Sequence, residues 1–223
     1  MDEETYYLCR KPELLKEFDE DVERWRPVVA GQYGSGLANA VLRESREAYE
    51  ALIPHIPYVG GDESWTGSLV EAVRCLALYQ AMKKHGKTAG ETGKILYDAV
   101  LARTPSALWA TERLMERRKK RAERSQERRY AADYVCELVV GDGIEFDYGY
   151  DFTECASQKF YHAQGADEFL PFFCFLDYAY SKVSGAGLTR TMTLSEGHPK
   201  CNHRFKRGRR VELDWPPPFL KSE

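Results

Sequence analysis

The residue types able to attack carbon, move protons or hold a carboxylate gather late in the 223-residue chain. "DFTEC" sets Asp151 and Glu154 beside Cys155, and the run that follows, "ASQKFYHAQ", has helical periodicity. A thiol in the first turn of a helix has its thiolate stabilised by the helix dipole and by free backbone N–H groups, which suits a nucleophile. Asp151 and Glu154 oppose that effect wherever they face the sulfur. The same spacing also reads as a capping box, with Asp151 as N-cap and Glu154 at N3, in which Cys155 merely packs. On residue types the two readings stand level.

Cys174 lies in the apolar run "PFFCFLDY", the usual setting of a buried structural cysteine. Asp177, three residues on, shares its helix face, so an acid and a thiol can enter one pocket. In "TLSEGHPKCNHRFKRG" Cys201 and His203 are two apart; on a strand they share a face and can touch one metal. Zinc would need two further donors, with Cys155, Cys174 and Glu196 on offer, and the spacing is that of no common zinc finger. No cofactor is assured by the pattern, and zinc is the one these donors would suit. His198, like His55, His85 and His162, has no partner at fixed spacing. Arg190 and Arg204 fall on the two strands of a predicted terminal hairpin. Guanidinium binds carboxylate through two parallel hydrogen bonds, so the pair fits a small carboxylic acid, and it fits ordinary surface ion pairing equally well.

These groups have to be positioned by helices and a sheet. From Glu13 to about Ala110 apolar residues recur at helical spacing: Leu15, Phe18, Val22 and Trp25, then Leu69, Val73, Leu76 and Tyr79, with "PHIPYVGGDESWTG" between as a loop. After Tyr130 the pattern turns to β-branched and aromatic residues around a Gly-Asp-Gly turn, then two helices, then the terminal hairpin. The expected fold class is therefore α+β: a mainly helical region at 1–130, and an α+β region at 131–223 with an antiparallel sheet in the order β-β-α-α-β-β. The two are expected to pack as one compact unit.

A net charge of −3 gives no overall attraction to nucleic acid or an anionic membrane. Residues 113–129, "RLMERRKKRAERSQERR", hold nine basic and three acidic side chains. They read first as a solvated helix with Glu116 paired to Lys120, since no aromatics interleave for base stacking; a weak anion-binding surface is the functional alternative. Nucleic acid is an unfavoured partner. Six cysteines far apart without a CxxC pair suggest reduced thiols, and the acidic start without a basic and apolar leader makes a cytoplasmic protein the simplest reading. A homo-oligomer is left open.

The ordered series D-F-T-E-C, G-A-D-E-F-L-P-F-F-C-F-L-D-Y and R-T-M-T-L-S-E-G-H-P-K-C-N-H-R-F resembles the L-2-amino-thiazoline-4-carboxylic acid hydrolase family. "YEALIPHIPYVGG" and "LALYQAMKKHG" are similar to that family's amino-terminal half, so the likeness spans roughly residues 35–208. It implies hydrolytic opening of an aminothiazoline or related cyclic amidine that bears a carboxylate. Cys155 would be the nucleophile or a metal ligand. Glu154, Asp151 or Asp177 would stabilise an amidinium or move protons, and Arg190 and Arg204 would hold the carboxylate, with Glu196 beside them. Cys155, Cys174 and Cys201 would be the ligands of a metal, if one is present. The chain departs from the family pattern at His198, Asn202 and His203, which puts the substrate's identity in question. The Thr193, Gly197, Cys201 spacing is also similar, at fold level, to vinyl-reductase-type domains, whose likeness implies a zinc-stabilised small-molecule sensor.

Overall fold

A computed structural model describes residues 3–104 and 112–221. Along the chain lie helices α1 (Tyr6–Cys9), α2 (Lys11–Leu52), α3 (Thr66–Lys84), α4 (Ala89–Leu101) and α5 (Glu112–Ser125), then β1 (Val135–Val140), β2 (Tyr148–Glu154), α6 (Ala156–Ala163), α7 (Leu170–Ser184), β3 (Leu188–Thr189) and β4 (Cys201–Phe205). Helices thus fill the first half and a four-stranded antiparallel sheet lies in the second, the α+β arrangement expected. The expected helical limit near Ala110 lies outside the described residues.

The stripe on α2 is realised with Leu14, not Leu15, in the buried position, followed by Phe18, Val22, Trp25 and Val29. The helix runs through Pro27 and breaks at Gly34, whose φ of 83° and ψ of 159° no helix contains. Beyond the break the chain doubles back. Lys11 pairs with Glu50 at 2.7 Å, Arg46 with Asp19 at 2.7 Å, and Arg26 with Asn39 at 2.9 Å, closing an αα-hairpin. Phe18 stacks on Tyr49 with ring centroids 4.7 Å apart between its two arms.

Helix α3 buries residues on nearly every side, Leu69, Val70, Val73, Leu76, Leu78 and Met82 among them, the pattern of an enclosed helix. Helix α4 opens on a capping box: the Glu91 amide donates to Thr88 Oγ1 at 3.1 Å, and the Thr88 amide to Glu91 Oε2 at 2.8 Å. Helix α7 has Pro171 in its first turn and stops at Gly185, φ 67°. One contiguous apolar core includes Leu76 of α3, Leu96 of α4, Phe175 of α7 and Leu188 of β3. Among the described residues no helix is long and apolar enough to cross a membrane.

The sheet order is β1-β2-β4-β3, with every neighbouring pair antiparallel. The terminal hairpin is looser than expected. β3 has two residues, and the connection to β4 makes a turn of 3-10 helix at Leu194–Glu196 before the chain returns between β2 and β3.

Candidate functional site

Facing residues of an antiparallel pair project to the same side of the sheet. The β2–β4 register sets Tyr148 opposite Phe205, Tyr150 opposite His203, and Phe152 opposite Cys201. Tyr150, Phe152, Cys201, His203 and Phe205 line a cavity of about 220 Å³. Trp65, Ser68 and Glu71 from the start of α3 line it too, as do Cys174, Asp177 and Tyr180 of α7 and Cys155 and Ser157 at the start of α6. Its wall is largely aromatic, which suits a small planar ligand.

The structure corrects the reading of "DFTEC". Asp151 and Glu154 belong to β2, pairing with Glu137 and Val135, so they form no capping box. The N-cap of α6 is Cys155, with extended φ and ψ of −135° and 116°. Burial pushes the Cys155 thiol up to about 11, while the backbone amides of Gln158 and Ser157 pull the other way. Burial likewise raises Cys174, against the pull of Arg190. It raises Cys201 as well, against the Leu194 amide, which donates to its sulfur at 3.1 Å. All three line the cavity as thiols at neutral pH. Among the described residues no group of three or more His, Cys, Asp or Glu is placed to hold a metal ion.

Beside the thiols stands a charged trio. Arg190, with a side chain only 4% exposed, donates from Nη1 to Asp177 Oδ2 at 2.7 Å and from Nη2 to the Cys174 carbonyl at 2.9 Å. His203 Nε2 lies 3.2 Å from the same Asp177 oxygen and 3.1 Å from Arg190 Nη1. Burial works against the Asp177 carboxylate, but His203 and Arg190 outweigh it and hold the carboxyl below its usual range. Burial, helped by the neighbouring guanidiniums, lowers His203 against the pull of Asp177, so the imidazole is neutral at neutral pH. Among the described residues His203 Nδ1, Arg190 Nε and the Tyr150 hydroxyl are buried without a hydrogen-bond partner, and all three residues line the cavity. Buried polar atoms are rarely left so, and a bound ligand is one thing that would satisfy them.

Cys155, Cys174, Cys201, Asp177 and Arg190 are thus brought together; Asp151, Glu154, Arg204 and Glu196 are not. Asp151 and Arg204 lie on the outer face of the sheet, where Asp151 accepts from Arg204 at 2.7 Å and Lys200 at 2.5 Å. Those two cations, overcoming burial, hold its carboxyl below the usual range. Arg190 and Arg204 sit on opposite faces, so the predicted two-arginine clamp on one carboxylate is not formed. The cause is register: Arg204 pairs with Thr189, one residue before Arg190. Glu154 is held by Arg128 and Lys159. Glu196 accepts from Thr193 Oγ1 at 2.6 Å in a neighbouring hollow of about 130 Å³ on the far side of Cys174 and Arg190, which line both.

Sequence reasoning passed over Glu71, Tyr180, Tyr134 and Ser157. Tyr180 donates to Glu71, whose carboxyl is pushed up by burial against the pull of Tyr180 and Arg74. The hydroxyls of Tyr134 and Ser157 lie 2.6 Å apart. The one signal for Glu71 was an acid set among the apolar residues of "SLVEAVRCLALY".

Comparison with curated proteins and with solved structures finds no match for the chain. Residues 67–205, which hold β1 to β4, α6 and α7, match the family model of L-2-amino-thiazoline-4-carboxylic acid hydrolase. With that model covering well over half of its length and every cysteine of the cavity, the chain belongs to the L-2-amino-thiazoline-4-carboxylic acid hydrolase family.

Proposed function

We propose that the cavity opens a small cyclic amidine or thiazoline-type carboxylate by adding water, with Cys155 as the nucleophile. Family membership supports a hydrolase-like function in general. The observation that carries the finer reading is the seat of Cys155 at the N-terminus of α6, facing the same cavity as a neutral histidine whose Nδ1 has no partner among the described residues.

The carbon to be attacked is bonded to the ring sulfur and two nitrogens. Cys155 Sγ adds to it while the thiol proton passes to the amidine nitrogen, giving a neutral tetrahedral adduct. The bond to the ring sulfur breaks, and the proton on nitrogen moves to the departing sulfur, leaving an isothiourea on Cys155. Water then adds to the same carbon and the Cys155 sulfur leaves as a thiol, so one water is consumed and the product is a carbamoyl compound. Negative charge on Cys155 during attack meets the amides of Ser157 and Gln158. His203, oriented by Asp177, relays the protons, and the open side of Asp177 accepts a hydrogen bond from the amino group of the amidine.

The test is ring opening of 2-aminothiazoline-4-carboxylate and related cyclic amidines, followed by release of the ring thiol. Cys155→Ser should abolish release while circular dichroism and melting stay as in the wild type. Full activity in that variant sinks the nucleophile role.

A further inference from the structure

We propose that the outer part of this cavity is a binding subsite for an anionic group, carboxylate or phosphate, built by Arg117, Arg118 and Arg121 of α5 with the Tyr150 hydroxyl. These arginines line an outer hollow of about 470 Å³. It shares Trp65, Tyr150, Asp177, Tyr180 and Phe205 with the inner cavity, so the two adjoin across these side chains.

The charges of α5 are sorted by face. On the side away from the cavity, Lys120 pairs with Glu116 at 2.9 Å and Lys119 with Glu123 at 3.8 Å, the solvated arrangement expected of a charge-rich helix. Arg117, Arg118 and Arg121 occupy another face at i, i+1 and i+4, and among the described residues none of them has a carboxylate partner within ion-pair distance. Two are fixed by aromatic faces instead. Arg121 lies over Trp65, 4.8 Å from the ring centroid, and Arg118 over Tyr148 at 4.3 Å. Stacking holds a guanidinium by its flat face and leaves its edge to donate in plane, the geometry that recognises planar or tetrahedral oxyanions; on Arg118 one edge nitrogen, Nη1, already donates to Met115 Sδ at 3.6 Å.

An independent observation points to the same place. Tyr150 is 5% exposed, lines both the inner cavity and the outer hollow, and its hydroxyl is buried without a partner among the described residues. Three like charges on adjacent turns repel one another, and burial together with Arg117 and Arg118 already holds Arg121 below its usual range. An anion relieves that repulsion and gives the Tyr150 hydroxyl an acceptor. The site also fills the gap left by Arg204, which faces away from the cavity and cannot hold the ligand's carboxylate. That the anion belongs to a substrate rests on the ring-opening reading of the inner cavity; the anion subsite itself stands on the α5 arginines and Tyr150.

Calorimetric titration of the full chain at low salt, with inorganic phosphate in one arm and malonate in the other, tests it. Saturable one-site binding of at least one anion is expected. Arg121→Met should weaken it about tenfold, as loss of a charge-assisted hydrogen bond does. Arg117→Gln, at an exposed position that leaves the core intact, should weaken it several-fold, and Lys119→Met on the opposite face should leave it unchanged. Tighter phosphate than malonate identifies a phosphorylated ligand, and the reverse order a carboxylate. Absence of saturable binding for both anions overturns the proposal, as does wild-type affinity in both arginine variants or equal weakening by Lys119→Met. Cys155→Ser should bind the anion as the wild type does. Failure of the nucleophile role therefore leaves this result standing, and failure of anion binding leaves the chemistry of Cys155 standing.

Discussion

Replacing Arg190 by methionine should disturb the fold and the titration of His203 together. The side chain is 4% exposed and holds Asp177 at 2.7 Å, the Cys174 carbonyl at 2.9 Å and His203 at 3.1 Å. Breaking a buried ion pair by removing one partner costs about 3–5 kcal/mol, because the other charge is stranded. Asp177 is 47% exposed, so water recovers part of its solvation and the expected loss falls to about 2–3 kcal/mol. For a chain of this length that is a drop in Tm of roughly 4–12 °C. The sign with pH follows from the depressed Asp177 carboxyl. Its contribution is present above the ordinary carboxylate value of about 3.9 and is lost as pH falls through the lower folded value, so the gap between wild type and variant should narrow in acid. Removing a cation beside His203 should also raise the midpoint of the imidazole, read by NMR. In a double-mutant cycle with Asp177→Asn, a coupling of about 1–3 kcal/mol is expected. A melt within about 1 °C of wild type, together with an unmoved His203 titration, would refute the reasoning.

Three further outcomes are expected. With exposed Cys9 changed to serine, alkylation of Cys155 should be slow at neutral pH and rise about tenfold per pH unit toward its midpoint near 11; a plateau by pH 8 would contradict a buried neutral thiol. Glu71→Gln keeps an acceptor for Tyr180 and removes a carboxyl whose folded value is raised. That carboxyl's contribution is greatest below its unfolded value and is lost as pH rises through the folded one, so the variant should gain in Tm on wild type as pH rises above the ordinary carboxylate value of about 4.3, and a difference in Tm that does not change with pH would contradict it. Gly149→Ala should cost about 1–3 kcal/mol in chemical denaturation and lower any ring-opening activity, because its Cβ would lie 2.2 Å from the His203 carbonyl oxygen where β2 and β4 meet; unchanged stability would show that the strands can part.

What could be read from the chain without its structure was local. The helical spacing of Leu69, Val73, Leu76 and Tyr79 on α3 and the Gly-Asp-Gly turn between β1 and β2 depend on neighbours a few residues away, and both are found as expected. Cys201 and His203 were rightly set on one strand face, since that needs only the period of two. The failures are non-local. "DFTEC" has a helix-start pattern, but β1 on one side and β4 on the other hold Asp151 extended, and tertiary pairing overrides the local signal. Whether Arg190 and Arg204 share a face depends on a single residue of register across a two-residue strand. The basic helix showed its Glu116–Lys120 pair in the spacing, yet its contact with Trp65 joins residues 56 positions apart that no local pattern links.

The break at Gly34 gives the molecule a handle. It caps an αα-hairpin that precedes residues 67–205, and Gly31, Gly34 and Gly36 around it would each meet open space if a side chain were added. The positive φ at Gly34 strains any L-residue put there, so the neighbours at 31 and 36 are the better points of attachment. A fluorophore, an affinity tag or a surface tether joined at the tip would report on or immobilise the protein without touching the residues that line the cavity. The hairpin arms, stapled by Lys11–Glu50 and Asp19–Arg46, would carry that load as a lever fixed at its base.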